Sequence, residues 1–247
     1  VAPTVWAWRK NRALKFSKIF DEILILFDFE KKYFKHLDIK TTHIGHPIYY
    51  VKKSSKNNNY VAFLFGSRIS EIKKLLPYFE IAHSYLNKYY PNIKIFIPTL
   101  PHLKNQIVKN IKNWKNEVFI SCDHNEIEEK YNKCDKALVC SGTASLEIAK
   151  RNIPQLVIYK LNIFTEILVK NFINVKFANL INIVENEMII PELTNSNLKK
   201  DVFISEFKKL IEDDSRNLIQ INKVNEVLKK FNVNEPPYDL AAKRIIS

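Results

Sequence analysis

Residues 62–82 read AFLFGSRISEIKKLLPYFEIA. An unbroken apolar run meets Gly66-Ser67-Arg68, and a helical pattern follows at once. Short apolar runs of this kind suit a strand buried on both faces, and apolar residues spaced at helical period suit a covering helix. Five runs repeat the theme: VAFLF (61–65), IKIFIP (93–98), VFISC (118–122), KALVC (136–140) and QLVIY (155–159). Helical stretches separate them. The clearest is 69–86, with Ile69, Ile72, Leu76, Phe79 and Leu86 expected on one face. Strands alternating with helices predict a doubly wound α/β domain around a parallel sheet.

Glycine is informative in this chain because it is scarce. Only three occur in 247 residues: Gly45 in HIGHP, Gly66 in FGSR and Gly142 in CSGTAS. They are expected where the backbone conformation or a close approach forbids a Cβ. Three isolated glycines also exclude G-x-G-x-x-G and Walker loops.

Before the sheet domain, TVWAW (4–8) reads as a strand, KNRALKFSKIF (10–20) as a helix and EILILF (22–27) as a buried strand. A short helix over about 29–36 and a strand TTHIG (41–45) follow. The polar stretch 49–60, YYVKKSSKNNNY, reads as a linker. From about 197 onward the tail is helical. The first residue is Val and the single methionine is Met188, so the chain is read as a piece whose N-terminal part is missing.

With 46% hydrophobic residues the chain can bury one large core or two smaller ones. No apolar run reaches the ~18 residues of a spanning helix, and no secretory signal opens the sequence. Three cysteines (Cys122, Cys134 and Cys140) make a disulfide framework improbable. The net charge is +13, carried mostly by lysine; only six of the 39 cations are arginine. A solvated lysine surface accounts for most of this, with attraction to anionic lipid or a phosphorylated substrate as the functional reading. The lysines are dispersed and no nucleic-acid motif accompanies them, so nucleic acid is not expected as a partner.

In doubly wound sheets ligands bind beyond the carboxyl ends of the strands. Two glycine turns fall there. At the first, helix N–H groups and Arg68 suit phosphate oxygens, Ser67 can cap the helix or bond a phosphate, and Glu71 lies in the first turn. At the second, Ser141-Gly142-Thr143 opens helix 144–150, and Glu147 lies one turn inside, where it could accept from ribose hydroxyls. A plain capped turn and an exposed helix carboxylate are the structural alternatives. A zinc set of Cys122, His124, Cys134 and Cys140 lacks paired spacing and is not expected. His46 in GHP and the pair Trp6 and Trp8 read as structural residues more readily than catalytic ones.

These stretches resemble the lipid-A-disaccharide synthase family. The matching segments are APTVWAWRKNRALK, FDFEKKYF, HIGHP, FGSRISEIKKLLPYF, CSGTASLEIAKRNIPQLVIYK, NLINI and IIPEL, in the family's order along essentially the whole chain. The resemblance implies a GT-B architecture, α/β throughout. A C-terminal Rossmann-like doubly wound parallel sheet (61–214) would bind the UDP-sugar. Residues 1–48 would be the last βαβ remnant of an N-terminal acceptor domain, 49–60 the linker, and 215–247 helices crossing back.

The activity implied is inverting transfer of 2,3-diacylglucosamine from UDP-2,3-diacylglucosamine to 2,3-diacylglucosamine 1-phosphate, at the cytoplasmic face of the inner membrane. No metal or other cofactor is implied, and a homodimer is compatible. Carried over residue by residue, Ser67 and Arg68 should face the diphosphate with Glu71 beside them. Ser141, Gly142, Thr143, Glu147 and Asn182 should lie at the nucleotide. The catalytic base, expected to be an aspartate, would lie upstream of this chain. Departures from the family pattern are Asp28-Phe29-Glu30, Ile181 before Asn182, and Asn195. Alternatives are another UDP-sugar enzyme of the same fold, such as a UDP-N-acetylglucosamine 2-epimerase, and a non-catalytic remnant that binds UDP or membrane.

Overall fold

In the computed structural model, the described residues are 2, 11–54, 59–140, 142–160, 177–231 and 233–246. The expected strand 4–8, with Trp6 and Trp8, lies outside them. The chain divides into two compact units, one of Lys52–Leu161 and Phe177–Asn225, the other of Val1–Val51 and Glu226–Ser247 with a further segment outside the described residues.

The smaller unit holds helix α1 (Asn11–Ser17) and two parallel strands, β1 (Glu22–Ile25) and β2 (Lys40–His43). The helix expected over 29–36 is instead a 3-10 segment at Asp28–Tyr33. Glu30 explains its start: buried, it accepts the N–H groups of Leu26 and Phe27 at 2.9 and 3.0 Å. Gly45 has φ +80, and a Cβ there would meet Val233 Cγ2 at 2.7 Å. His46 Nδ1 accepts from the N–H of Ile48, its ring stacks on Phe27, and burial lowers its pKa. These contacts make it a neutral framework group.

The larger unit is built on six parallel strands: β3 (Tyr60–Leu64), β4 (Lys94–Pro98), β5 (Val118–Ser121), β6 (Cys134–Cys140), β7 (Gln155–Tyr159) and β8 (Glu192–Thr194). Their order is β5-β4-β3-β6-β7-β8, so the direction of winding reverses between β3 and β6. Strand β8 has only three residues and follows Pro191, too short to show a periodicity; the sequence reading does not include it. Every residue of β3 is buried, as a strand covered on both faces requires.

Val61, Phe63 and Phe65 share one core with helices α2 (Ile69–Tyr89) and α3 (Pro101–Ile111). Phe79 stacks on Phe65 at 4.0 Å between centroids; truncating such a buried ring costs about 3–5 kcal/mol. The buried stripe of α2 is Ile72, Leu75, Phe79, Ala82 and Leu86. Ile69, expected on that face, is exposed; it is the first residue of the helix.

Helices α4 (His124–Tyr131) and α5 (Thr143–Lys150) follow β5 and β6. Beyond β7 come α6 (Leu180–Glu185), α7 (Lys200–Glu212), α8 (Asp214–Lys229) and, in the smaller unit, α9 (Pro237–Ile246). The unit boundaries fall at 51/52, inside the expected linker 49–60, and at 225/226, inside α8 and eleven residues past the expected 214/215. Local bonds account for the shift. Ser54 binds the carbonyls of Arg151 and Tyr131, and Gln220 exchanges two hydrogen bonds with the Gln155 backbone.

Candidate nucleotide-binding cleft

A cleft of about 600 Å³ opens above the carboxyl ends of β3, β4 and β6. It straddles the point where the sheet reverses its winding, the place where such sheets bind ligands. Gly66, Ser67, Arg68 and Glu71 line one side; Gly142, Thr143 and Glu147 line another. Two turns 76 residues apart in sequence thus meet because β3 and β6 are hydrogen-bonded neighbours.

The first turn is tightly tied. Gly66 has φ +95, and a Cβ there would lie 2.7 Å from Glu71 Oε2 and 3.0 Å from Cys140 Sγ. Glu71 Oε2 accepts the Ser67 N–H at 3.2 Å, and its Oε1 pairs with Arg68 Nη1 at 2.7 Å. Arg68 is the N-cap of α2, but no side chain caps that helix. The helix N-terminus is therefore open toward the cleft, where its N–H groups favour an anion. The Arg68 side chain is 72% exposed and, held by Glu71, lines the cleft. Burial, and then the Glu71 charge, push the Cys140 thiol up to about 12.

At the second turn Gly142 has φ 151 and ψ −164, a conformation open essentially to glycine alone. Ser141 lies outside the described residues. Glu147 faces the cleft but is not a bare helix carboxylate. It pairs with Arg151, and so does Glu128 of α4, another cleft residue.

Asn182 does not line this cleft. It is fully buried; its Nδ2 donates to Ile190 O at 2.7 Å, and its Oδ1 accepts from Ile189 N and Ile190 N, each at 2.9 Å. It fixes the turn that leads into β8, so its expected place at the nucleotide is corrected to a framework role. The zinc set does not assemble either. Cys134 and Cys140 stand at opposite ends of β6, roughly 20 Å apart at strand rise. Among the described residues no three His, Cys, Asp or Glu side chains gather as a metal site.

The structure adds cleft residues that sequence reasoning passes over, Thr99, Glu128 and Tyr131, together with His124, which it weighs only as a zinc ligand. Thr99 Oγ1 is buried with no hydrogen-bond partner among the described residues, a polar atom suited to a ligand. Beneath the cleft lies Arg151, whose i,i+4 spacing from Glu147 is the signal that could have found it.

The family model for lipid-A-disaccharide synthetase matches residues 1–245. The chain belongs to the lipid-A-disaccharide synthase family. It is 34% identical over 263 residues to that synthase of Rickettsia prowazekii (strain Madrid E), covering 99% of this chain and 68% of the relative. Against the synthase of Rhodospirillum centenum (strain ATCC 51521 / SW) the identity is 29%, over 100% of this chain and 65% of the relative. The chain thus spans about two thirds of the length of these family members.

The fold recurs in glycosyltransferases. A mutant of S. aureus TarM, solved with Fondaparinux, alpha-GlcNAc-glycerol and UDP, is 13% identical with a TM-score of 0.58, over 96% of this chain and 45% of that one. The pneumococcal O-GlcNAc transferase GtfA, solved with UDP and GlcNAc, gives 0.54 at 13% identity, over 94% and 46%. At such identity the likeness concerns architecture: the GT-B fold. Among the described residues no helix is long and apolar enough to cross a membrane.

Proposed function

We propose that the cleft binds the UDP part of UDP-2,3-diacylglucosamine. The whole protein then transfers the diacylglucosamine to 2,3-diacylglucosamine 1-phosphate, with inversion at the donor C1 and release of UDP. The observation that carries this reading is the meeting of two glycine turns at the winding reversal, with Arg68 and Glu147 on one cleft. The family's name for its members supports the reaction.

In this reading Arg68, Ser67 and the N-termini of α2 and α5 receive the diphosphate, helped by Thr143 and Ser141. Glu71 holds Arg68 in reach. Glu147 accepts from the ribose. As the glycosidic bond to the diphosphate breaks, negative charge grows on the leaving UDP. Preorganised donors at that place stabilise the transition state more than the ground state. What these residues supply is donor binding and leaving-group stabilisation. The smaller unit belongs to the acceptor side, and the lipid substrates place the reaction at the cytoplasmic face of the inner membrane.

Calorimetric titration of UDP into the chain and into Arg68→Ala tests the reading. Saturable binding that weakens about tenfold or more in the variant is expected for a lost charge-assisted contact. Equal affinity in both would remove Arg68 from the site. A folded chain that does not bind UDP would remove the nucleotide reading. Product formation that depends on the lipid acceptor would separate a synthase from an epimerase, which turns over UDP-sugar alone.

A further inference from the structure

Arg151 is an unusual residue to find under a cleft. Its residue exposure is 1%, and its guanidinium lies 4.5 Å from the Tyr131 ring centroid. One nitrogen, Nη2, donates to both Glu128 Oε1 at 2.5 Å and Glu147 Oε1 at 3.0 Å. Burial opposes the positive charge, but the two carboxylates outweigh it and keep the group cationic. A cation bound purely to support the fold would draw its partners inward. Here both carboxylate side chains are 37% exposed, and both line the cleft.

The two acids come from opposite halves of the sheet. Glu128 sits on α4, which follows edge strand β5; Glu147 sits on α5, which follows β6 across the winding reversal. Arg151 joins what the topology brings from two sides. Each carboxylate keeps its Oε2, which accepts no hydrogen bond among the described residues. Ionised carboxylates only accept. They repel phosphate and suit a neutral group with two adjacent O–H donors.

We propose that Glu128 and Glu147, held on the single Nη2 of Arg151, form a two-carboxylate acceptor for the vicinal 2′- and 3′-hydroxyls of the nucleotide ribose. Glu128 is then a second ribose-binding residue, and Arg151 is a positioning residue for the pair. The inference rests on the nucleotide reading of the cleft. It gives the site a preference for ribonucleotides, because a missing hydroxyl leaves a desolvated carboxylate oxygen unmatched.

The test is calorimetric titration of UDP, 2′-deoxy-UDP and 3′-deoxy-UDP into the full chain and into Glu128→Gln and Glu147→Gln. Each deoxy analogue should bind the unmodified chain about tenfold or more weakly than UDP, the scale of a hydrogen bond to a charged group. Glu128→Gln should shrink the penalty for one analogue, and Glu147→Gln for the other. Arg151→Met should shrink both, and Arg151→Lys should restore part of the loss. Should the Arg151 variants not fold, the Glu128→Gln result decides, since that change is isosteric and at the cleft surface. Full-sized penalties for both analogues in a folded Glu128→Gln chain would overturn the role of Glu128 while leaving the cleft as a UDP site. Absence of UDP binding by the folded unmodified chain would overturn both readings.

Discussion

Gly66 and Gly142 each follow a buried strand and open a helix into the same cleft, yet a methyl group would meet different surroundings at the two. At Gly66 it would run into Glu71 Oε2 and Cys140 Sγ, and the backbone sits at φ +95. At Gly142 it would find nothing within 4 Å, and only φ +151 with ψ −164 excludes a side chain. Gly45 belongs with the first kind, since Val233 fills the space where a Cβ would stand. Scarcity in the sequence marks all three glycines but cannot tell these reasons apart. One glycine lets the protein pack against itself. The other leaves the mouth of a helix bare on the side where a ligand would come.

Gly66→Ala should break the first turn. Strain at positive φ together with the forced retreat of Glu71 or Cys140 predicts a loss of about 3 kcal/mol, read from urea unfolding. UDP affinity should fall with it, because Glu71 cannot both move and hold Arg68. A loss below about 1 kcal/mol would show that the contacts around Gly66 yield easily, and the contrast between the turns would lose its basis.

Asn182→Ala should cost about 2–3 kcal/mol, since it strands the Ile189 and Ile190 N–H groups and the Ile190 carbonyl in a buried place. Its UDP affinity per folded molecule should stay unchanged. Weakened binding in a chain that unfolds at the usual urea concentration would return Asn182 to the cleft. Gly142→Ala should cost about 1–2 kcal/mol, the effect of backbone strain without a clash. Its effect on UDP binding should exceed its effect on stability. The reverse order would mean that the second turn is built for packing after all.

What is legible in the sequence follows the same division. Five of the six strands of the larger sheet are visible as short, mainly apolar runs; β3, buried along its whole length, needs no alternation. Strand β8 is invisible: Glu192-Leu193-Thr194 is too short to carry a pattern, and it is placed by neighbours such as Asn182. The two glycine turns can be put on one cleft because sheet topology, not side-chain detail, brings them together. Arg151 is half legible: its i,i+4 spacing from Glu147 is a local signal, but its other partner, Glu128, lies 23 residues away in sequence and on a different helix. Ile69 misleads because periodicity says which residues share a helix face but not which turns of that face are covered, and Ile69 opens the helix. Asn182 owes its expected role to family likeness, and its amide is taken up by backbone groups that no local spacing reveals.

The gentlest probe of the two turns is Cys140. It ends β6, the strand that leads to Gly142, and its Sγ lies under Gly66. Burial and then Glu71 push its thiol up to about 12, with Arg68 pulling the other way. At pH 8 its thiolate fraction is about three orders of magnitude below that of an ordinary thiol. Iodoacetamide followed by mass spectrometry should therefore label half-buried Cys122 well before Cys140. The folded state holds its proton more firmly than the unfolded one, so the sign of the linkage is set. Stability from this thiol is present below about pH 9 and is lost as pH rises toward 12. Cys140→Ala should remove that part of the alkaline loss. Labelling of Cys140 as fast as Cys122 would mean that the first turn opens in solution. Gly66 would then be needed for its backbone conformation alone, and the two turns would be alike.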